Sequence, residues 1–139
     1  MGELSGQERA TLGWLTPITV TASGTFWLTP LESADRVVLR IPFDAATPDT
    51  STAYWIEWRQ PLGSDAYLAG RDWRKQTQGA TIWQVSPNRD ANYLLDLTPK
   101  TRSWTDAELG FGKSFAGLAG ITIAVGTPVN GQLPVTVTR

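Results

Sequence analysis

The stretch Tyr54-Trp55-Ile56-Glu57-Trp58-Arg59-Gln60 limits the fold of this chain more than any other. It is the longest run of strand-forming residues, and it carries two charges inside it. Side chains alternate across a strand, so Tyr54, Ile56 and Trp58 form an apolar row while Trp55, Glu57 and Arg59 share the opposite face. One face calls for a core and the other for a polar partner.

From Ile18 onward the chain repeats that pattern in shorter runs, punctuated by Gly, Pro, Asp, Asn and Ser. Strands are predicted over Ile18 to Thr21, Thr25 to Thr29, Val37 to Ile41, Tyr54 to Gln60, Ala80 to Val85, Tyr93 to Leu97, Ile121 to Val125 and Leu133 to Thr138. The inward rows read by alternation are Phe26 and Leu28; Val37, Leu39 and Ile41; Tyr54, Ile56 and Trp58; Tyr93, Leu95 and Leu97; Ile121, Ile123 and Val125; and Leu133, Val135 and Val137. Such alternation fits an all-β fold, an antiparallel β-sandwich of about eight strands with one wet face per sheet. At 139 residues the chain has the size of one domain that needs no metal or disulfide staple. Residues 1–16 are expected to form a helical lead-in and residues 17–139 the sandwich.

The lead-in carries Ser5-Gly6-Gln7-Glu8, a capping box in which Ser5 and Glu8 satisfy each other's amides. A helix from about Gly6 to Leu12 should follow, anchored by Leu4, Leu12 and Leu15 with Trp14, and stopped at Gly13. Ser23-Gly24 and Asn130-Gly131 both read as tight hairpin turns, the second more strongly because both of its residues accept positive φ. Three segments exceed simple turns: Pro42 to Ala53, Pro61 to Gly79 and Pro99 to Gly112. Binding residues tend to sit in such loops.

The sequence has no histidine and no cysteine. Those absences remove HExxH zinc sites, histidine general bases, Ser-His-Asp triads and thiol chemistry together. A formal net charge of −1 gives no electrostatic reason to expect nucleic acid or an anionic membrane as partner. No apolar run reaches the roughly 18 to 20 residues that span a bilayer, and Met1 to Ser5 lacks the basic and apolar regions of a secretion signal.

Glu57 and Arg59 lie two apart on one strand face, about 6.5 to 7 Å along the chain, so each is expected to meet a cross-strand neighbour rather than the other. Asp96 is the candidate partner for Arg59. Glu57 and Asp96 could alternatively form the carboxylate pair of a glycoside hydrolase, but a structural ion pair is the simpler account. Seven tryptophans are many for this length. Trp27, Trp55 and Trp83 fall on the less apolar faces of their strands, where an exposed row of rings could bind polysaccharide or peptide unless helix and loops cover it. Trp73 and Trp104, in long loops, are the leading binding candidates, with Arg71 and Arg74 beside the first.

No metal ligand set is assigned. Asn88, Asp90 and Asn92, with Asp44, Asp49, Asp65 and Asp72, offer oxygens that a structural calcium ion could use, but Asx residues more often bond their own turns. No other cofactor is expected. The glycines between Gly110 and Gly120 form neither GxGxxG nor a Walker loop.

Several segments, read in order, resemble a known family. Leu12-Gly13-Trp14-Leu15, Ser23-Gly24-Thr25-Phe26-Trp27-Leu28-Thr29-Pro30-Leu31-Glu32 and Tyr54 to Gly63 are similar to the region that follows the catalytic domain in secreted zinc metallopeptidases of the gametolysin and immune-inhibitor-A type. Gly79-Ala80-Thr81-Ile82-Trp83-Gln84-Val85, Leu94-Leu95-Asp96-Leu97-Thr98-Pro99, Asp106-Ala107-Glu108-Leu109, Gly112-Lys113-Ser114-Phe115 and Gly120-Ile121-Thr122-Ile123 continue the resemblance, which covers nearly the whole chain. The family's catalytic helix and its HExxH motif have no counterpart here, so no peptidase residue carries over. The resemblance implies a bacterial, secreted, non-catalytic accessory domain that supports a protease domain or holds its substrate, the helix with Leu4, Leu12 and Trp14 marking the docking seam. Its partners would be that catalytic domain or a protein or polysaccharide substrate. The tryptophans alone would instead suggest a free-standing carbohydrate-binding module, and Glu57 with Asp96 a small glycoside hydrolase.

Overall fold

The computed structural model describes residues 4–70, 77–87, 92–101 and 106–139. Among them are one α-helix, α1 (Gly6–Thr11), and ten strands: β1 (Ile18–Thr19), β2 (Gly24–Leu28), β3 (Leu39–Pro42), β4 (Ala53–Trp58), β5 (Gly79–Val85), β6 (Asn92–Leu94), β7 (Leu109–Gly110), β8 (Ser114–Ala116), β9 (Thr122–Val125) and β10 (Leu133–Thr138). A 3-10 helix spans Gly63–Ala69, inside a segment read from the sequence as loop. The strands form two sheets. One runs β1-β3-β4-β5-β6 with β7 also paired to β5, and the other runs β2-β10-β9-β8. Every pairing is antiparallel except β1 with β3.

The two sheets pack face to face in a sandwich-like arrangement, and the inward rows fill the space between them. Leu39, Ile41, Tyr54, Ile56, Trp58 and Ile82 of the first sheet meet Leu28, Ile123, Val125, Leu133, Val135 and Val137 of the second. Ring contacts tie the layers at one end, Tyr54 lying 4.8 Å from Phe43 and 5.7 Å from Phe115 between centroids. Of the inward positions expected from alternation, Tyr93 departs, being exposed on the edge strand β6.

Each of the eight predicted strands is found at some length, and β7 and β8 are additional. They are short because the chain there changes sheets. The Phe111 amide still bonds the Gln78 carbonyl of the first sheet at 3.1 Å, whereas the Gly112 amide bonds the Val125 carbonyl of the second at 2.8 Å. Gly112 has φ +75° and Val125 N–H returns to the Lys113 carbonyl at 2.9 Å, the pattern of a glycine bulge. Leu109 is held against Gly79, where any side chain would meet the Leu109 carbonyl oxygen at 2.3 Å.

The two hairpin signals fared differently. Asn130 and Gly131 have φ 51° and 77° and close the antiparallel β9–β10 pair as expected. Ser23-Gly24 does not make a hairpin: β1 enters the first sheet beside β3, and β2 enters the second beside β10. The Ser23 hydroxyl is used instead to accept from the Arg139 amide at 2.9 Å.

All six residues of β4 are buried, because its strand is covered on both faces. The row Tyr54, Ile56 and Trp58 faces the second sheet. The opposite row lies under α1, where Trp55 packs with Leu31, Val38 and Ala53, and Ala10, Leu15, Trp83 and Val85 close the cluster.

Candidate functional site

The charged row of β4 lies under the first turn of α1, and the contact there is polar. Ser5 caps the helix: its hydroxyl accepts from the Glu8 amide at 3.2 Å, while Glu8 Oε2 accepts from the Ser5 amide at 2.7 Å. The next amide, Gly6 N–H, has no partner within a helix. It donates to Glu57 Oε2 at 2.6 Å. Gly6 permits that approach, since a Cβ at this position would meet the Val38 methyls at 2.8 and 2.9 Å.

Glu57 Oε1 collects the remaining donors. Trp83 Nε1 donates at 2.8 Å from the paired strand, and Arg59 donates through Nη2 at 3.2 Å and Nε at 3.3 Å. Arg59 Nη1 also reaches Asp65 Oδ1 at 3.0 Å, and Nη2 the Leu4 carbonyl at 3.4 Å. Arg9 pairs with Glu32 and donates through Nε to the same Leu4 carbonyl at 3.0 Å. Two arginines and three carboxylates are thereby gathered between α1, the 3-10 helix, the segment after β2 and the outer face of β4.

Two consequences follow from burial. Glu57 is 1% exposed and both of its oxygens are occupied, so neither is presented to a solute. Asp65 is fully buried with Oδ2 lacking any hydrogen-bond partner. Burial pushes its carboxyl above the ordinary value; Arg59 pulls it down, and the neighbouring Glu32 and Glu57 push it up.

The polar set predicted from sequence is therefore brought together only in part. Glu57 and Arg59 pair directly along one strand, against the expectation that each would look across to a neighbouring strand. The second carboxylate on Arg59 is Asp65, not Asp96. Asp96 instead accepts from the Thr98 amide at 3.0 Å in a local turn, with β5 lying between β4 and β6. Asp65 and Leu68, three apart in the 3-10 helix, are both fully buried, a placement that no strand period in the sequence indicates.

Trp27, Trp55 and Trp83 do not make one exposed row. Trp55 is buried, Trp83 half-buried against it, and Trp27 exposed on the other sheet. Trp73, Trp104, Arg71 and Arg74 lie outside the described residues, as do Asp72, Asn88 and Asp90. Among the oxygens considered for calcium, Asp44 closes its own turn, accepting from the Ala46 amide at 2.9 Å and the Thr47 hydroxyl at 2.8 Å, and these bonds lower its carboxyl pKa. Asn92 donates to Gln7 at 2.6 Å. Among the described residues no group of three or more His, Cys, Asp or Glu could hold a metal ion.

The chain matches no family model, no curated protein and no solved structure. Of the hydrophobic anchors expected on the lead-in, Leu4 and Leu15 are half-buried and Leu15 packs beside Trp55, whereas Leu12 is 54% exposed and Trp14 62%, and Ile18 a few residues on is exposed too. The polar network holds the helix, which leaves these side chains on the outside. A cleft of about 690 Å³ opens where β7 and β8 part, lined by Leu97, Asp106, Phe111 and Ser114 among others.

Proposed function

We propose that this chain is a non-catalytic accessory domain, a single β-sandwich that docks against a partner domain through the end of its lead-in helix. The observation that carries this reading is the exposure of Leu12 and Trp14 in one short stretch with Ile18. Isolated apolar side chains on a surface need no explanation, but three large ones within residues 12–18 suit a contact surface. The occupation of both Glu57 oxygens supports the same reading, because it leaves that carboxylate as a structural member. By the resemblance described above, the partner is the zinc-dependent catalytic domain of a secreted bacterial peptidase, and Trp73, Trp104, Arg71 and Arg74 are the candidates to contact its substrate.

The coding sequence immediately upstream is expected to contain an HExxH frame. When the joined chain is expressed, Leu12→Ser with Trp14→Ser should split one thermal transition into two, while the 139-residue chain alone melts as before. An upstream frame without HExxH, or a joined chain indifferent to both substitutions, would overturn the proposal. Affinity electrophoresis in polysaccharide gels is the complementary test, with Trp73→Ala and Trp104→Ala alongside. Retardation that those substitutions abolish would replace the docking reading with a carbohydrate-binding one.

A further inference from the structure

The strand β8 is the edge of its sheet, and among the described residues no strand pairs with its outward side. Alternate residues of an antiparallel pair bond their neighbour, and the bonded ones are identified by the contacts around them. Lys113 O accepts from Val125 N–H and Gly117 N–H donates to Ile121 O, so Phe115 is the intervening residue that bonds Ile123 in β9. The amides and carbonyls of Ser114 and Ala116 therefore point away from β9. Ser114 and Ala116 line the cleft of about 690 Å³, together with Leu97, Thr98, Asp106 and Phe111 among others.

Two features make this edge a receiver rather than a mere strand end. The glycine bulge at Gly112 sets β8 off from β7, so the first sheet does not run on to cover it. The cleft also offers aromatic surface, Phe111 and Phe115, beside polar groups. Its described lining carries two formal negative charges, Asp106 and Glu108, and one positive, Lys113. Exposed strand edges pair with extended chains, the main chain supplying affinity and alternate side chains supplying selectivity.

We infer that the β7–β8 cleft binds an extended peptide segment, which adds to β8 through the main-chain groups of Ser114 and Ala116. Its alternate apolar side chains rest on the phenylalanines, and basic side chains are favoured over acidic ones. This inference is independent of the docking seam at Leu12 and Trp14, which lies on the lead-in.

The test is a titration of the ¹⁵N-labelled full chain with acetyl-Val-Lys-Val-Lys-Val-amide, to about 2 mM because only a few main-chain bonds are offered. Saturable shifts are expected at the Ser114 and Ala116 amides. Two N-methylated isomers, blocked on opposite edges of the peptide, should differ: the one blocked on the edge that faces β8 loses binding and the other keeps it. Replacing Lys by Glu in the peptide should weaken binding about tenfold. Ala116→Pro removes an outward donor without touching the β9 ladder, which edge strands tolerate, and should abolish the shifts. The peptide isomers decide the question should that variant fold poorly. No saturable shift, shifts centred elsewhere, or equal binding by both isomers would overturn the inference. So would a sedimentation coefficient that rises with concentration unless Ala116→Pro is present, since the edge would then belong to a second copy.

Discussion

Replacing Glu57 by glutamine should cost far more than its single lost charge would on a surface. Glu57 receives N–H donors on both oxygens: Gly6 on Oε2, and Trp83 and Arg59 on Oε1. Glutamine keeps one oxygen, so in either orientation its NH₂ faces a buried N–H. One orphaned donor costs about 1–3 kcal/mol. Arg59 also loses a buried counter-charge, a change worth about 3–5 kcal/mol when no other partner remains, and Asp65 at 3.0 Å offsets part of it. The two together give a loss of about 3–5 kcal/mol. With a urea m-value of about 2 kcal/mol/M, the unfolding midpoint should fall by about 2 M. The glutamine oxygen is best kept on the side of Trp83 and Arg59, which supply more donors than Gly6 does, so Gly6 is the amide left without an acceptor, and exchange at Gly6 and Glu8 should rise toward the rates of a fraying terminus. Asp96→Asn is the control, since an amide oxygen can still accept from Thr98; its cost should stay within about 1 kcal/mol. A Glu57→Gln loss below about 1 kcal/mol would refute the account of this network as the clamp on α1.

Asp65 gives a pH signature of unusual sign. Because its folded pKa is raised above 3.8, the folded chain holds this proton more readily than the unfolded one, and the cost of ionising it is present in full above the folded pKa. Stability from this group therefore grows as pH falls toward 3.8, and Asp65→Asn lacks that gain. Wild type minus variant stability in urea should increase between about pH 7 and about pH 4, and a flat or opposite slope would count against the assignment. Gly79→Ala should destabilise by about 1–3 kcal/mol or more, because its Cβ meets the backbone carbonyl of Leu109 at 2.3 Å and a main chain gives way poorly. Gly24→Ala, which meets only Phe26 at 3.5 Å, should cost under about 1 kcal/mol in the same denaturation series.

Alternation made most of the core legible. Ile56, Ile123, Leu133, Val135 and Val137 are where a period of two puts them, because a strand between two apolar layers leaves each side chain only two directions. The capping box was legible for a related reason: its bonds are local and written in adjacent residues. Contacts between distant elements were not. Ser23-Gly24 has hairpin composition, yet the strands on either side diverge because β2 finds β10 and β1 finds β3. Leu12 and Trp14 looked like anchors because they are apolar, whereas the helix is held by Gly6 and Arg9, one contributing an amide and the other a guanidinium. Asp65 was missed as the partner of Arg59 because its segment had no strand period, and Asp96 was chosen because it did.

The pairing of β2 with β10 reaches across more than a hundred positions, and β10 also holds β9. During synthesis the Phe26 and Leu28 row would wait, without its neighbour, until residues 133–138 had left the ribosome. In that interval the nascent chain offers a sticky hydrophobic ribbon, and holdase chaperones would be its natural escorts. Truncations that remove those last strand residues should therefore yield inclusion bodies rather than a smaller folded product.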